Sequence, residues 1–599
     1  MRKRLGVCVA VVAAASLVGV AGATTPYASD TLVTSGSPPS PFPQNKQNEP
    51  AVAVNPIDPT IAAAGVNDEI DLEACNNRSD TACPFTAGVG LSGVYFSDTS
   101  GSSWHQPTYQ GFTARDCLGL PGTSSAPADN CDPHPGPIGT LPRYFENRLV
   151  SDGDPALGFG PQPGANGKFS WSNGWRLYYA NLTSNFSAER SEFAFKGFEA
   201  IAVSRLDSQN YAAAKAGVNT AWHAPVIVTR QNAALFSDHE MVAVDDAQAS
   251  PFFGNVYICN AAFRSQERSA NALPEPIVLN SSSDGGDTWH QTQVSSATNN
   301  IQGFGRQDCQ VNTDSRGTVY VFWQGGDPRT RQNTIFMTRS FDGGKHFERP
   351  PRAVATFDEC GLRDPVSGDI TFDGVAGARD GSFPTADIAN GAPTGTGAPD
   401  TIVMAYCNGP TPTSDTGGAN EQAVVQYSTD RGTTWTRIGN GAQPGDRPDF
   451  PAIAISPNGS DVYLTYDAFL QPWQTKTATP RMFQGVVRHA DFAGAGTTFT
   501  TLHRGLAGDA RGSSANALVD EFLGDYNYAF ATNAFVVAVW NDARNAADCP
   551  AIDAYRQAIA DGNATSSSTD PLRPAPNNQC PATFGNTDIW GGSYADPTP

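Results

Sequence analysis

Three stretches of this chain spell nearly the same ten residues: SSSDGGDTWH at 281–290, RSFDGGKHFE at 339–348 and YSTDRGTTWT at 427–436. They share the frame Ser-x-Asp-x-Gly-x-(Thr/His)-(Trp/Phe), carried by Ser282, Asp284, Gly286, Thr288 and Trp289 in the first copy. A catalytic motif is needed once, so a motif written three times at uneven spacing is a structural device. Its chemistry is that of a turn. Asp and Ser side chains bond nearby backbone N–H groups, and glycine permits a positive φ. Weaker copies keep the frame and lose the aspartate: Ser97, Gly101, Ser103 and Trp104 surround Thr99, and only Gly496, Thr498 and Phe499 survive in the stretch 491–500. A stretched copy ends at Trp222. Asp284, Asp342 and Asp430 are therefore read as hairpin fasteners and not as catalytic groups.

The closing aromatics fall at 104, 222, 289, 347, 435 and 499, separated by 118, 67, 58, 88 and 64 residues. That spacing suits one four-stranded unit carrying loop insertions of variable length. Each unit opens on a polar or acidic start and an alternating apolar run, then a second β-rich run: NEPAVAV before TIAAAGV, DHEMVAV before NVYICNA, QDCQVNT before TVYVFWQ, and DFPAIAIS before DVYLTYDAF. Less regular starts lie near ENRLVSDG and FPTADIANG. A seventh start, EFLGDYNYAFATN, leads to FVVAVWND and DIWGGSYA with no box after it. Period-two alternation broken by turn residues reads as antiparallel strands. The expectation is an all-β chain forming a single β-propeller of four-stranded antiparallel blades, seven favoured and six the alternative. Strands from both chain ends close the ring, with about Thr31 to Ser37 as the candidate outer strand. Closure hides the sheet edges.

Composition agrees. Gly (59) and Pro (45) make roughly a sixth of the 599 residues, as expected of short strands joined by many turns. Arg2, Lys3 and Arg4 precede an apolar run from Leu5 to Val20 and the small residues Ala21-Gly22-Ala23, which reads as a secretory signal over 1–23. Residues 24–44 form an N-terminal segment, a candidate to help close the ring, and 45–599 the propeller. Removing the signal takes three positive charges from a net charge of −21, leaving −24. Such an acidic chain excludes nucleic acid as a natural partner. No later run is long and apolar enough to span a membrane. The chain is thus expected to be secreted, extracellular and monomeric. Beyond Cys8, ten cysteines favour disulfides. Proximity suggests Cys75–Cys83 and Cys117–Cys131; elimination leaves Cys259–Cys309, Cys360–Cys407 and Cys549–Cys580.

The boxes and their setting, over about residues 45–595, resemble the Asp boxes, or BNR repeats, of the sialidase superfamily of β-propellers. The resemblance implies a propeller whose boxes lie away from the active site. It implies activity less directly, because the superfamily also holds arabinanases, xyloglucanases, sorting receptors and binding proteins. In a propeller the mouth where inner strands begin is the usual binding site. The residues there are Glu49, Asn147 and Arg148, Asp238, His239 and Glu240, Arg306 and Asp308, Arg447 and Asp449, and Glu521, Asp525 and Tyr526. Gln324, Asp467, Asn541, Asp542 and Arg544 follow second strands at the same mouth. Crowded carboxylates need arginines, a cation or raised pKa values to persist. They suit acid/base catalysis or a central Ca²⁺ site, with Glu49 and Asp449 as candidate ligands.

By that resemblance a sialidase needs three arginines for the substrate carboxylate, a Tyr activated by a Glu, and an Asp acid. Placement in the repeat offers Arg148, Arg306 and Arg544 for the clamp, Tyr526 with Glu521 for the nucleophilic pair, and Asp238 or Asp308 for the acid. His239, Glu240 and Asp525 are added as substrate contacts. The family's Arg-Ile-Pro near the first blade is replaced here by NEPAVAV. Three readings follow: a glycoside hydrolase of exo-sialidase type, a non-catalytic propeller binding a glycan, envelope component or protein, and a polysaccharide lyase using His239 as base. The expected partner in the enzyme readings is a carbohydrate.

Overall fold

A computed structural model describes residues 30–35, 46–72, 86–115, 133–229, 232, 234–264, 274–297, 305–363, 370–372, 381–409, 421–474, 476–514, 520–567 and 569–599. The expected signal segment and the Cys75–Cys83 and Cys117–Cys131 pairings lie outside the described residues.

Seven antiparallel sheets follow one another around an axis, each running from an inner strand outward. The inner strands are Gln47–Val54, Leu149–Pro163, Leu235–Val244, Arg306–Thr313, Thr385–Ile388, Arg447–Ile455 and Tyr528–Ala531. They fall on the seven starts read from the sequence. Blade 1 has three strands, Gln47–Val54, Ala62–Asp68 and Ser92–Ser97, and its fourth shrinks to the Phe96–His105 bridge. Blade 7 takes Phe535–Asp542 and Asp588–Ala595 from the end of the chain and its outermost strand, Thr31–Leu32, from the beginning. Thr31 pairs with Gly591 and Leu32 with Trp590.

The repeated box is the hairpin between third and fourth strands. In blade 3, Ser282 Oγ donates to Asp284 Oδ1 (2.8 Å) and accepts from Gly286 N (2.9 Å), while Asp284 accepts from Thr288 N (3.0 Å) and Thr288 Oγ1 (2.5 Å). Blades 4 and 5 repeat the pattern around Asp342 and Asp430. Gly286 sits at φ +87°, and a Cβ there would meet Arg205 of blade 2 at 2.9 Å. The turn must carry glycine because it presses against the preceding blade.

Each closing aromatic serves a different seam. Trp104 packs into the apolar cluster between blades 7 and 1, Trp222 into that between 1 and 2, and Trp289 into that between 2 and 3. Phe347, Trp435 and Phe499 fill the next three seams in order. The seam between blades 6 and 7, built on Tyr463, Val487, Trp540 and Tyr594, receives none, since blade 7 has no third-to-fourth hairpin.

Three disulfides join the expected partners: Cys259–Cys309 between blades 3 and 4, Cys360–Cys407 onto blade 5, and Cys549–Cys580 within the insertion that interrupts blade 7. That insertion carries the helix Pro550–Ala560. No helix among the described residues is long and apolar enough to cross a membrane.

Candidate functional site at the axial mouth

The inner strands do not begin as plain strands. Five carry a β-bulge at the same place, with register shifts at Asn48/Ala51, Gly153/Ala156, Asp238/Met241, Gln307/Gln310 and Asp449/Ala452. Inside each bulge lies a non-glycine residue with positive φ: Glu49 (54°), Asp154 (51°), His239 (49°), Asp308 (57°) and Phe450 (48°). Such a conformation costs about 1–3 kcal/mol per residue and persists where the surroundings over-determine it. A bulge re-aims one side chain without disturbing the strand beyond it. Repeated in five of the seven blades, it turns Glu49, Asp154, His239 and Asp308 toward a shared mouth, while Phe450 packs among Phe372, Phe469 and Phe483.

His239 demonstrates the convergence. Its Nδ1 lies 3.2 Å from Asp308 Oδ1 of blade 4, and its ring lies 5.6 Å from Phe383, which enters blade 5, and 5.2 Å from Tyr526, which enters blade 7. One imidazole from blade 3 touches three other blades, as only the axis permits. Asp308 Oδ2 accepts from Gln324 Nε2 of its own blade. On the other side Asn67 links two bulges: its Nδ2 donates to Glu49 Oε2 (2.5 Å), and its Oδ1 accepts from Asp154 N (2.7 Å). Asn541 holds the closing blade in place, accepting from Glu49 N (3.0 Å) and donating to Tyr526 O (3.0 Å). Asn527 Nδ2 in turn donates to Asp467 Oδ2 (3.1 Å).

The electrostatics of this mouth oppose ionisation. Burial, then the charges of Asp525, Asp238 and Glu275, push the Asp308 carboxyl well above its ordinary range, against the Gln324 hydrogen bond. Burial and the Asp154 carboxylate push Glu240 well up, and both its carboxyl oxygens are buried without a hydrogen-bond partner. Burial raises Glu199 well above normal, Asp152 to about 7 and Glu275 to about 8. The Tyr526 phenol is likewise pushed up, by burial and then by Asp154 and Glu49. Half-buried Asp154, Asp238 and Asp525 complete the rim.

Several expected residues are therefore brought together: His239, Asp308, Tyr526, Glu49 and Glu240, with Asp238 and Asp525 as electrostatic neighbours. Others go elsewhere. Glu521 is fully buried and accepts from Arg481 Nε (3.2 Å) and Nη2, with Arg556 Nη1 at 3.7 Å. Arg556 belongs to the helix Pro550–Ala560, so Glu521 anchors the blade 7 insertion. No hydrogen bond or ring contact joins it to Tyr526. Arg544 is held by Asp542 (2.7 Å) and Asp30 and stacks on Trp590 at 4.1 Å, which ties the ring closure. Arg306 donates to Gly326 O (2.7 Å) and lies over Phe336 at 4.8 Å. Arg148 is exposed and ends the turn Phe145–Asn147. No hydrogen bond, ion pair or ring contact joins these three arginines to Tyr526 or to one another. Arg447 is spent on Glu421 (2.8 Å). Asp449 Oδ1 accepts from Phe450 N (2.9 Å). Among the described residues, neither Glu49 nor Asp449 belongs to a group of three metal donors.

Asp152, Asp154, Glu199 and Glu275 were not singled out from the sequence. A signal for Asp154 was present: Asn48-Glu49-Pro50-Ala51, Gly153-Asp154-Pro155-Ala156 and Asp449-Phe450-Pro451-Ala452 share a proline after the bulge residue. Proline, lacking an N–H, is tolerated where a bulge leaves the ladder.

Below the mouth, Tyr528 bonds Met241 Sδ (2.7 Å) and Gln310 Nε2 (3.4 Å), plugging the axis. Beneath that plug lies a mostly apolar cavity of about 380 Å³ lined by all seven inner strands, with Val54, Val244 and Ile455 among its walls. Polar chemistry and the axial cavity are thus at different levels.

No protein-family model and no curated protein sequence matches the chain. Among solved structures it overlaps the Hadza microbial sialidase Hz136 at 12% identity and a TM-score of 0.34, covering 67% of this chain and 65% of that one. A Trypanosoma rangeli sialidase in complex with the inhibitor DANA gives 11% and 0.37, covering 78% and 58%. A Penicillium chrysogenum alpha-L-arabinanase complexed with arabinobiose gives 15% and 0.29, covering 50% and 73%. The chain thus spans less than two thirds of the length of the two sialidases. The functional reading rests on the mouth's own residues.

Proposed function

We propose that this protein is a secreted carbohydrate-active enzyme, a glycoside hydrolase working at the axial mouth on a neutral glycan. The observation that carries the reading is the meeting of His239 and Asp308, each in a strained inner-strand bulge, with Tyr526 just before the inner strand of blade 7. Glycoside cleavage needs a protonated acid for the leaving oxygen and a second, anionic group near the anomeric carbon. Asp308, which burial pushes toward its protonated form and which His239 and Gln324 steady, suits the acid. Asp154 and Glu49, the carboxylates that act most strongly on Tyr526, suit the second role, directly or by drawing a proton from the phenol. They stand where Glu521 was expected to act.

The three arginines expected to grip a sialic-acid carboxylate make no contact with Tyr526, and carboxylates dominate the mouth. Both features favour a neutral sugar over a sialoside. The test is reducing-sugar release from a panel of neutral polysaccharides, uronic-acid polysaccharides and sialosides, with and without Ca²⁺. The expected result is hydrolysis within the neutral set that Asp308→Asn abolishes while leaving the folded protein intact. Turnover of sialosides alone would reject the neutral-glycan reading. Unsaturated products from uronic-acid chains would make it a lyase, and binding without turnover of any member would make it a lectin-like propeller.

A further inference from the structure

The seam between blades 6 and 7 lacks the aromatic latch of the other six, and a cluster of polar side chains stands on its box face. His489, at the end of the third strand of blade 6, is 3% exposed on its side chain, and its Nε2 faces three carboxylates. Asp461 Oδ1 lies at 3.1 Å, Asp596 Oδ1 at 3.7 Å and Asp491 Oδ1 at 3.9 Å. Asp461 begins the second strand of blade 6. Asp596 follows the third strand of blade 7, where the other blades start a box. Asp461 and Asp596 are as buried as His489, whereas Asp491 is 67% exposed and leaves the cluster open to solvent. Ligand atoms of Asp461, His489 and Asp491 all lie within 4.8 Å of one another.

Charge and spacing both call for a cation. Even a protonated His489 leaves this group two negative charges in excess, with two carboxylates out of water. Tetrahedral donors at about 2.0–2.1 Å from a zinc ion are about 3.3–3.4 Å apart, and the three separations from Nε2 bracket that edge. A second observation is independent of the cluster's own bonds. Tyr463, fully buried and 5.1 Å ring to ring from His489, has a hydroxyl with no hydrogen-bond partner. Tyr463 pairs with His489 across the two strands and lies two residues from Asp461 on the same face of the sheet. An unpartnered buried phenol packed on the imidazole and beside a ligating carboxylate is what an outer-shell donor looks like before the ion is in place.

We propose that Asp461, His489 and Asp491 form a binding site for a divalent transition-metal ion of the zinc class beside Asp596 of the closing blade, and that the ion fastens blade 6 to that blade. One imidazole with carboxylates and no thiolate fits zinc better than copper(I), and the imidazole disfavours calcium. The ion replaces the missing latch and has no part in the mouth's chemistry.

The test uses the full-length protein freed of metal by chelation and dialysis, titrated with Zn²⁺ alone in a calorimeter and with Co²⁺ alone in a visible spectrometer. The expected result is one Zn²⁺ per chain, a raised unfolding temperature, and Co²⁺ ligand-field bands of tetrahedral intensity. Asp491→Asn, at an exposed position that tolerates change, weakens Zn²⁺ by at least about tenfold, and His489→Gln removes the Co²⁺ spectrum. Circular dichroism confirms that both variants are folded. No Zn²⁺ uptake by the wild type overturns the proposal and leaves a histidine hydrogen-bonded among aspartates. Unchanged uptake by folded Asp491→Asn and His489→Gln overturns it equally, because the ion then sits elsewhere.

Discussion

The two faces of the ring use the same side chain in opposite ways. On the box face Asp342 and Asp430 are held down at about 2, because Ser, Thr or His side chains and backbone N–H groups donate to them. At the mouth Asp308 and Glu240 are pushed well above their ordinary values by burial, with few donors to offset it. A carboxylate satisfied on every side contributes to folding, and one denied its partners costs folding free energy. The second kind gathers at the mouth together with five strained bulge residues, although burial also pushes Asp245, just past the end of an inner strand, up to about 8. The gathering of such groups on strained backbone is the physical reason to look for activity at the mouth.

The comparison can be broken most directly at Asp308. Asp308→Asn is expected to lower glycan turnover by roughly 10²–10⁴-fold, the usual worth of a positioned acid, without lowering the unfolding temperature. If stability falls with activity, Asp308 belongs to the same class as the box aspartates. Glu240→Gln comes next. A group with a raised folded pKa contributes stability below its unfolded value, about 4.3, and loses it as pH rises. The variant is expected to be more stable than wild type by roughly 1–3 kcal/mol at pH 7, with the gain vanishing near pH 4 in denaturant titrations.

Asp430→Asn should show the opposite sign. With the folded value depressed to about 2, its stabilisation is complete above about pH 4 and fades as pH falls through 2. Because Asp430 is exposed, the loss at pH 7 is expected to be no more than about 1 kcal/mol. The smallest effect tests the box itself. Thr99 stands in the aspartate's place in blade 1 and bonds Ser97 Oγ and Ser103 Oγ. Thr99→Asp restores the missing acceptor for backbone N–H groups, with an expected gain of about 0.5 kcal/mol by chemical denaturation.

Repetition made the fold legible. The box writes its hydrogen bonds between residues two to four apart, and its aromatic identifies a seam, so blade count and order follow from local sequence. The mouth was legible only where a residue's role depends on its place along one strand, as for His239, Asp308 and Tyr526. Roles that depend on partners far away in the chain were not. Glu521 lies five residues from Tyr526 yet answers to Arg481 and Arg556. Arg544 reads as a substrate clamp, yet Asp542, two residues before it, and Asp30, 514 positions away, both occupy it. Asp154 lies five residues into its inner strand, Leu149–Pro163, so the strand start within ENRLVSDG does not point to it although Gly-Asp-Pro-Ala repeats the pattern of Asn-Glu-Pro-Ala.

The pairing of Thr31–Leu32 with Gly591 and Trp590 bears on how this chain acquires its shape. Contacts this distant in sequence form late, since the loop they close is nearly the whole molecule. During synthesis blades 1 to 6 can stack as their strands emerge, but blade 1 waits with one flank bare until Phe535–Asp542 and Asp588–Ala595 arrive. For most of its assembly the protein is an open crescent with an unpaired flank at each tip. Such a shape is the form most exposed to joining the wrong neighbour, and a two-residue strand is what finally turns it into a ring.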